Sequence, residues 1–451
     1  MQSTPRSRVV RRGAFVASAI ATVALLAGCA SAEQSTADGP TTFEPVEQVA
    51  GSEIVVWADS TRLASVEAYQ EANPDVKMDI VTYDGGADGS TYLQTKVQLF
   101  DRTDEGWPDV VFGTPTDVTW ASKPTSPGET PFAAPLNEDL VDQEVLDGFA
   151  KGSLTPCEAD GNTYCLRNDI AQVVLWYNDA LMTEFGYEVP TTWEEYQALG
   201  EKVAVEHPGY LVGSIGDTNS HESYFWSAAC PAQEAESADT LRVALDDPAC
   251  TRMATMLDSL VDAGSLTTQA FFSQGFDGSK VLMANGPSWY GKYLFDSAFK
   301  VPAGQIAAAA PLKWDGESEA VTGNVGGGVW MVSAHSKNLE ASTALAEWLT
   351  TSDENLKDAP TYPAYVAGAE VWLENPANRD YFANDITEAF TVAADAVWTG
   401  WANTRFASST AWSSVVLPAI TGGASLTDTL PAWQQAITDE AESVGYTVVN
   451  E

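Results

Sequence analysis

Short apolar segments alternate with helical patterns after position 50, and this alternation limits the fold more than any other feature. Residues 54–57 (IVVW) and 109–112 (DVVF) have the length and composition of buried strands, and 76–83 alternates as a strand does. Residues 61–72 and 93–100, between them, show helical spacing of apolar side chains. Strands that alternate with helices predict parallel βαβ units and an α/β fold.

The same two patterns continue towards the C-terminus. Helical patterns recur at 192–205, 238–262, 288–298, 338–350, 363–373, 378–396 and 428–443. Strand patterns recur at 172–177, 211–215, 280–284, 305–310 and 328–333. About 400 residues of this kind favour two domains or lobes. In open α/β sheets, ligands bind beyond the carboxyl ends of the strands, so we expect the site there.

The first residues are typical of an export signal. Four arginines precede an apolar run at 14–27, which is too short for a mature membrane span of about 20 residues. The run ends at Leu26-Ala27-Gly28-Cys29, which resembles the bacterial lipobox. That resemblance implies cleavage after residue 28 and lipidation of Cys29 through its sulfur and its new amine. An ordinary signal peptide with an incidental cysteine is the alternative.

Residues 29–51 are predicted to be a flexible linker from the lipidated cysteine. They are rich in Ala, Ser, Thr, Glu and Pro and have no hydrophobic period. Such a tether would keep the protein at the outer face of the bacterial cytoplasmic membrane.

The charge of the chain excludes two classes of partner. The full sequence has 22 Lys and Arg against 63 Asp and Glu. Four arginines lie in 1–28, so 18 basic residues remain and the mature net charge is 18 − 63 = −45. This charge repels nucleic acid and anionic lipid. We therefore expect no nucleic-acid partner, and contact with the membrane only through the lipid anchor.

The four remaining cysteines favour disulfides, because an even number in an exported protein is typical of bridges. Three pairings are possible, and we favour the local ones, Cys157–Cys165 and Cys230–Cys250. A zinc site is not expected, because there is no Cys-x-x-Cys and the three histidines are scattered. We expect neither a metal nor a cofactor.

Several segments, taken in order, resemble the carbohydrate-binding group of extracellular solute-binding proteins of ABC importers, which includes maltodextrin-binding protein. The resemblance begins near residue 54 and continues to the C-terminus. The segments are EANPDV (71–76), WPDVV (107–111), LWYNDAL (175–181), VPTTWEE (189–195), VLMANGP (281–287), GGGVWMV (326–332) and SKN (336–338).

The resemblance implies a two-lobed periplasmic-binding-protein-like fold, in which each lobe is a mainly parallel sheet flanked by helices and ligand binds in a cleft at the hinge. Carried over, lobe 1 is 52–170 plus 308–358 and lobe 2 is 171–307 plus 359–451. The chain would cross between lobes near residues 168–171, near Ala308 and near Pro360. The lobes would close around the ligand by a hinge motion.

A sugar site needs aromatic rings for apolar C–H faces and polar groups for hydroxyls. Aromatic candidates are Trp289, the strongest, with Tyr83, Trp120, Tyr224, Trp226, Tyr290, Trp330, Trp398 and Trp401. Polar candidates are Asp59, Asp84, Asp117, Asn168, Asp169 and Arg405. Each has a structural alternative, such as helix capping for Asp59 or core packing for Trp330. Maltodextrin binders have a tryptophan directly after the third strand, where this chain has Gly113.

The resemblance favours a monomeric lipoprotein that captures an oligosaccharide, delivers it to ABC permease subunits and catalyses no reaction. A lipid-anchored glycoside hydrolase is one alternative, because it too would have aromatic and acidic residues. A binding protein for a peptide or polyamine is another. The motifs of serine hydrolases, zinc proteases and P-loop enzymes are absent from the sequence.

Overall fold

Two β-sheets organise the chain, and the first contains the strands nearest the N-terminus. The computed structural model describes residues 43–450 apart from 84–89, 125–129, 238 and 402–403. In spatial order the strands of the first sheet are Met78–Thr82, Ile54–Ala58, Val110–Gly113, Val329–Val332 and Leu166–Arg167. The first three are parallel, as predicted for βαβ units. The last two run antiparallel to their neighbours.

Helices cover the first sheet because their apolar faces fit its buried strands. Helix Leu63–Ala72 contributes Val66 and Tyr69 to the core that contains Ile54. The ring of Tyr69 lies edge-on to Trp348 of helix Leu339–Thr351, with 5.4 Å between centroids. Other long helices are Ser90–Thr103, Trp193–Glu206, Pro248–Ala263, Val366–Glu374, Thr387–Asp395 and Leu426–Ser443. In the part of the chain that the structure describes, every helix is too short or too polar to span a bilayer.

The second sheet is built around Val173–Asn178, which lies between Met283–Pro287 and Ile306–Ala309. Both neighbours are antiparallel to it. The prediction of a mainly parallel sheet is therefore wrong for this lobe. The central strand leads away from the crossing at 168–171, and both neighbours run in the opposite direction, towards that end of the sheet. Shorter strands elsewhere are Glu158–Ala159, Asn162–Thr163, Gly213–Ser214, Glu234–Ser237, Thr240–Arg242, Leu266–Thr267 and Thr447–Val449.

The chain passes between the two sheets at segments that lie side by side. In isolated bridges, Asp169 pairs with Pro363 and Gln172 pairs with Asn324. The crossing predicted near 168–171 agrees with these contacts. The one predicted near Pro360 is too early, because helix Val366–Glu374 still packs on the side of the first lobe. The crossing predicted near Ala308 lies later, at 322–328, because Ala308 is still a strand residue paired with Trp176.

The predicted lobe boundaries need two corrections. Leu312 and Trp314 pack into the core of the second lobe, although 308–358 was assigned to the first. Helix Val366–Glu374 packs against Leu339–Thr351 and Asp353–Leu356, on the side of the first lobe, although 359–451 was assigned to the second. Both differences arise because the second and third crossings fall later than the sequence suggested.

Residues 43–52 lie along the first lobe, so the linker predicted for 29–51 is too long. The side chain of Gln48 donates to the carbonyl of Ser336 (3.0 Å) and accepts from the amide of Leu339 (2.9 Å). The amide of Val49 donates to the carbonyl of Lys337 (2.7 Å). These bonds cap the start of helix Leu339–Thr351. Cys29 and the rest of the predicted linker lie outside the described residues.

Both predicted disulfides are present. Cys157–Cys165 closes the hairpin formed by Glu158–Ala159 and Asn162–Thr163. Cys230–Cys250 ties the start of helix Pro248–Ala263 to the preceding segment. All four cysteines are fully buried. The local pairing favoured from the spacing is therefore confirmed.

Candidate functional site

A cavity of about 710 Å³ lies between the lobes. Its size falls within the ~300–1,000 Å³ typical of small-ligand sites. Both lobes and the crossing segments contribute to its walls, and we call it the cleft. Its aromatic lining residues are Phe112, Trp226, Trp289, Tyr293 and Phe406. Its charged and amide lining residues are Asp59, Arg62, Asp169, Asn219, Glu222, Gln233 and Asn324.

Asp59 and Arg62 form the charged part of the first-lobe wall. Asp59 follows strand Ile54–Ala58, and its carboxylate accepts from the amides of Thr61 (3.0 Å) and Arg62 (2.9 Å). The same carboxylate lies 3.1 Å from a terminal nitrogen of Arg62. The guanidinium sits 4.4 Å above the centre of the Phe112 ring. Its buried Nε has no hydrogen-bond partner among the described residues. Asp59 therefore holds the turn that precedes helix Leu63–Ala72, rather than capping the helix itself, and it also lines the cleft.

The three glycines 326–328 form the floor of the cleft. The amide of Gly328 donates to the carboxylate of Asp169 (2.7 Å). A Cβ on Gly327, which has a φ of +82°, would lie 2.6 Å from the guanidinium of Arg167 and 2.9 Å from the carbonyl of Asp169. Only glycine permits this approach, because other residues rarely adopt such a φ and would clash.

Arg167 lies fully buried behind that floor. Its Nη2 donates to the carbonyls of Gly326 (3.2 Å) and Ile170 (3.4 Å). Burial lowers the pKa of the guanidinium to about 10, and the charge of Asp169 acts in the opposite direction. The side chain is therefore cationic at neutral pH, and it ties two crossing segments together.

Trp289 and Trp226 form the aromatic part of the second-lobe wall. Trp289 follows strand Met283–Pro287, and its indole N–H donates to the carbonyl of Val325 (2.9 Å). That bond fixes the ring beside the crossing segment. Trp226 is nearly buried and lies edge-on to His221 at 6.0 Å between centroids. Each ring has a defined orientation before any ligand binds.

Glu222 differs from the other two carboxyl groups of the cleft, Asp59 and Asp169. Among the described residues, no basic side chain that is charged at neutral pH lies beside it. It accepts from the hydroxyl of Ser408 (2.7 Å), and burial raises its pKa to about 8. His221 Nε2 lies 3.8 Å away, and burial lowers the pKa of that imidazole to about 3. At neutral pH both side chains are mainly uncharged. A protonated carboxyl group can both donate to and accept from a neutral polar ligand.

Comparison with known families identifies the chain. Residues 64–380 match the family model described as bacterial extracellular solute-binding protein. The chain belongs to this family. The cleft is thus the candidate solute site, and the resemblance seen in the sequence is confirmed.

Solved structures of solute-binding proteins share the two-lobed fold. A galacto-N-biose/lacto-N-biose I-binding protein of Bifidobacterium longum, in complex with lacto-N-biose, has a TM-score of 0.71 at 18% identity, covering 89% of this chain and 100% of that one. A B. animalis subsp. lactis binding protein with β-1,6-galactobiose has a TM-score of 0.69 at 20% identity, covering 88% and 99%. The acarbose-binding receptor of Streptomyces glaucescens has a TM-score of 0.67 at 20% identity, covering 89% and 100%.

One curated relative matches a short part of the solute-binding protein. It is an osmoprotective-compounds-binding protein of Synechocystis sp., 34% identical over 71 residues. The match spans 15% of this chain and 17% of the relative.

Four of the predicted site residues of this solute-binding protein line the cleft: Asp59, Asp169, Trp226 and Trp289. Three candidates near the second and third strands do not. The hydroxyl of Tyr83 donates to the carbonyl of Phe112. Asp117 accepts from the amide of Thr114 (2.8 Å) as a helix cap, and Trp120 donates to Asp117 (3.3 Å). These side chains stabilise the loops behind the wall.

Trp330 and Asn168 bond to each other rather than pointing into the cleft. The indole N–H of Trp330 donates to the side-chain oxygen of Asn168 at 3.1 Å. Trp330 is 1% exposed, and its ring lies edge-on to Phe112 with 5.2 Å between centroids. The sheet-core alternative is correct for Trp330, because its strand is covered on both faces.

The remaining candidates whose side chains the structure describes also lie away from the cleft. Tyr224 and Tyr290 are buried in the second lobe. Trp398 packs against the hydrophobic core that contains Ile54. Arg405 donates to Asp239 and lies 4.5 Å from the centre of the Tyr446 ring. Asp84 and the side chain of Trp401 lie outside the described residues. The expectation of ligand contact is therefore unsupported for these residues.

Sequence reasoning missed Glu222, Tyr293 and the polar loop residues of the second lobe. Glu222 lies in the short helix Ser220–Tyr224, and nothing distinguishes it from 62 other acidic residues in the sequence. Thr404 and Ser408 follow no strand and belong to no motif. Among the described residues, no group of three or more His, Cys, Asp or Glu side chains could hold a metal ion.

The raised pKa of Glu222 predicts that stability falls as pH rises. The folded protein holds this proton up to about pH 8, whereas an unfolded glutamate releases it near pH 4.3. Between these values the folded state binds more protons, so the free energy of unfolding decreases with pH by at most about 1.4 kcal/mol per unit. Glu222→Gln removes this slope. Urea unfolding of both proteins from pH 5 to 8 measures the difference, and parallel curves would contradict the assignment.

Proposed function

We propose that this protein captures a carbohydrate, specifically an oligosaccharide, in the cleft and delivers it to the permease of an ABC importer. The observation that carries the proposal is the pairing of fixed aromatic rings with neutral polar groups in one cavity. Trp289 and Trp226 supply apolar faces, and Asn219, Asn324 and Gln233 supply amide donors and acceptors. This is the chemistry that sugar rings and hydroxyls require.

The structural relatives support the same class of ligand. The structures of the three relatives described above include complexes with sugars: β-1,6-galactobiose for the B. animalis protein, lacto-N-biose for the B. longum protein and acarbose for the S. glaucescens receptor. Their identities to this chain are 18–20%, so the proposal rests on the shared fold together with this chain's own cleft residues.

Delivery would follow from movement of the two lobes about the crossing segments. The cleft walls come from both lobes, so a ligand that contacts both stabilises the closed arrangement by its additional contacts there. We propose that the permease receives this closed form. The protein acts as a monomer, and its anchor is a lipid on Cys29 at the outer face of the membrane.

Two alternatives differ in what they demand of the cleft. A glycoside hydrolase needs a carboxylic acid and a second carboxylate on opposite sides of one bond. Asp59 accepts from two amides and an arginine, and Asp169 accepts from Gly328, so both act as structural acceptors. A peptide or polyamine receptor needs charged partners for termini or amines, and Glu222 is mainly neutral at pH 7.

A thermal-shift screen tests the ligand class. We expect mono- and oligosaccharides, including β-1,6-galactobiose, lacto-N-biose and maltotetraose, to include at least one that raises the melting temperature. Stabilisation by peptides or polyamines alone would overturn the carbohydrate proposal. Release of reducing ends from any stabilising glycan by the purified protein would favour the hydrolase.

Trp289→Ala should weaken binding of the identified sugar roughly tenfold, about 1.4 kcal/mol. The variant removes a ring face in the cleft and its bond to Val325. Isothermal titration calorimetry measures the change. Trp120→Ala is the control, because Trp120 is also half-buried but does not line the cleft. Equal loss in both variants would argue for general destabilisation instead.

Cys29→Ser should abolish incorporation of an alkyne-tagged fatty acid in bacteria that express the full chain. The thiol is the proposed acceptor of the diacylglyceryl group, and serine removes it. Ser31→Ala should be labelled like the wild type. A wild-type protein without label would refute the anchor and leave the sugar-binding proposal unaffected.

A further inference from the structure

Phe272 is an exposed aromatic residue next to the cleft. Its side chain is 49% exposed, although it is one of the large apolar residues. Its ring centroid lies 6.1 Å from that of Trp289, and the two planes meet at 35°. Trp289 lines the cleft, whereas Phe272 does not. Phe272 therefore continues the aromatic surface of Trp289 beyond the enclosed cavity.

The loop that presents Phe272 is held firmly by the second lobe. The preceding residue, Phe271, is 3% exposed and packs against Phe276 (5.2 Å) and Tyr290 (6.3 Å). The hydroxyl of Ser214 donates to the carbonyl of Gln269 at 2.8 Å. A Cβ on Gly216 would lie only 2.3 Å from the carbonyl oxygen of Thr268. Buried contacts therefore fix the loop on both sides of Phe272.

Exposure alone does not indicate a function, since single exposed apolar residues are common on protein surfaces. Leu99, for example, is 47% exposed on a helix of the first lobe and does not line the cleft. Phe272 differs in two respects. It adjoins a ring of the cleft wall, and its backbone is positioned before a ligand arrives, so little conformational entropy would be lost on contact.

We propose that Phe272 is a stacking surface for a sugar unit that extends out of the cleft, so that this protein favours longer oligosaccharides over disaccharides. The inference rests on the proposed carbohydrate function. An aromatic face packs against the C–H face of a sugar ring without needing particular hydroxyls. The contact would therefore select for chain length more than for sugar identity.

The test compares affinity across chain lengths by isothermal titration calorimetry. The probes are maltose to maltohexaose, and β-1,6-linked galacto-oligosaccharides from the disaccharide to the pentasaccharide. Phe272→Ala should weaken the longest bound members about two- to tenfold and leave the shortest unchanged. Phe272→Tyr should retain wild-type values, because it keeps the ring. Leu99→Ala is the matched control and should behave as the wild type does.

The outcomes separate this inference from the proposed function. If the wild type binds neither series, nor any glycan of the thermal-shift screen, the carbohydrate function fails and the inference fails with it. If the wild type binds and Phe272→Ala changes no affinity at any length, only the role of Phe272 is refuted. Loss of sugar uptake in cells at unchanged affinity would assign Phe272 to permease contact and also refute it. Phe272→Gln serves as the second variant if the alanine protein does not fold.

Discussion

The architecture of the cleft depends on one buried cation at the junction of the lobes. Removing an arginine side chain from water costs several kcal/mol unless carbonyls and a carboxylate surround it. Arg167 obtains the carbonyls of Gly326 and Ile170 and the nearby charge of Asp169. These groups belong to two crossing segments, so the bonds of Nη2 link the segments, while the buried Nε and Nη1 have no hydrogen-bond partner among the described residues. The floor of the cleft is the outer surface of this arrangement, and Gly327 is required because any Cβ would displace the guanidinium.

Local patterns predicted much of the fold correctly. The alternation after position 50 located Ile54–Ala58, Leu63–Ala72 and Val110–Gly113 to within a few residues, because each element is buried on a matching face. The helix predicted at 238–262 was wrong at its start. Residues Thr240–Arg242 form a strand that pairs with Thr447–Val449, and the helix begins only at Pro248. No local pattern could show a partner two hundred residues away.

The site was less predictable than the fold. Strand ends and the segment before Trp289 led to cleft residues, because those positions follow from topology. The sequence context of Trp330, close after three glycines, also suggested a position in the cleft. Its ring instead lies in the core against Phe112. The abundance of tryptophan in the sequence does not show which rings line the cleft and which pack behind its wall. Glu222 is a cleft residue only because a short helix from the second lobe meets the crossing segment, which requires the tertiary structure.

The docking of residues 43–52 determines which part of the molecule a membrane anchor would hold. Gln48 and Val49 bind the start of helix Leu339–Thr351, so the N-terminal segment is continuous with the first lobe. In the sequence, thirteen residues separate Cys29, the proposed lipidation site, from Phe43. A lipid on Cys29 would then hold the first lobe near the bilayer, and opening or closing of the cleft would move the second lobe relative to the membrane.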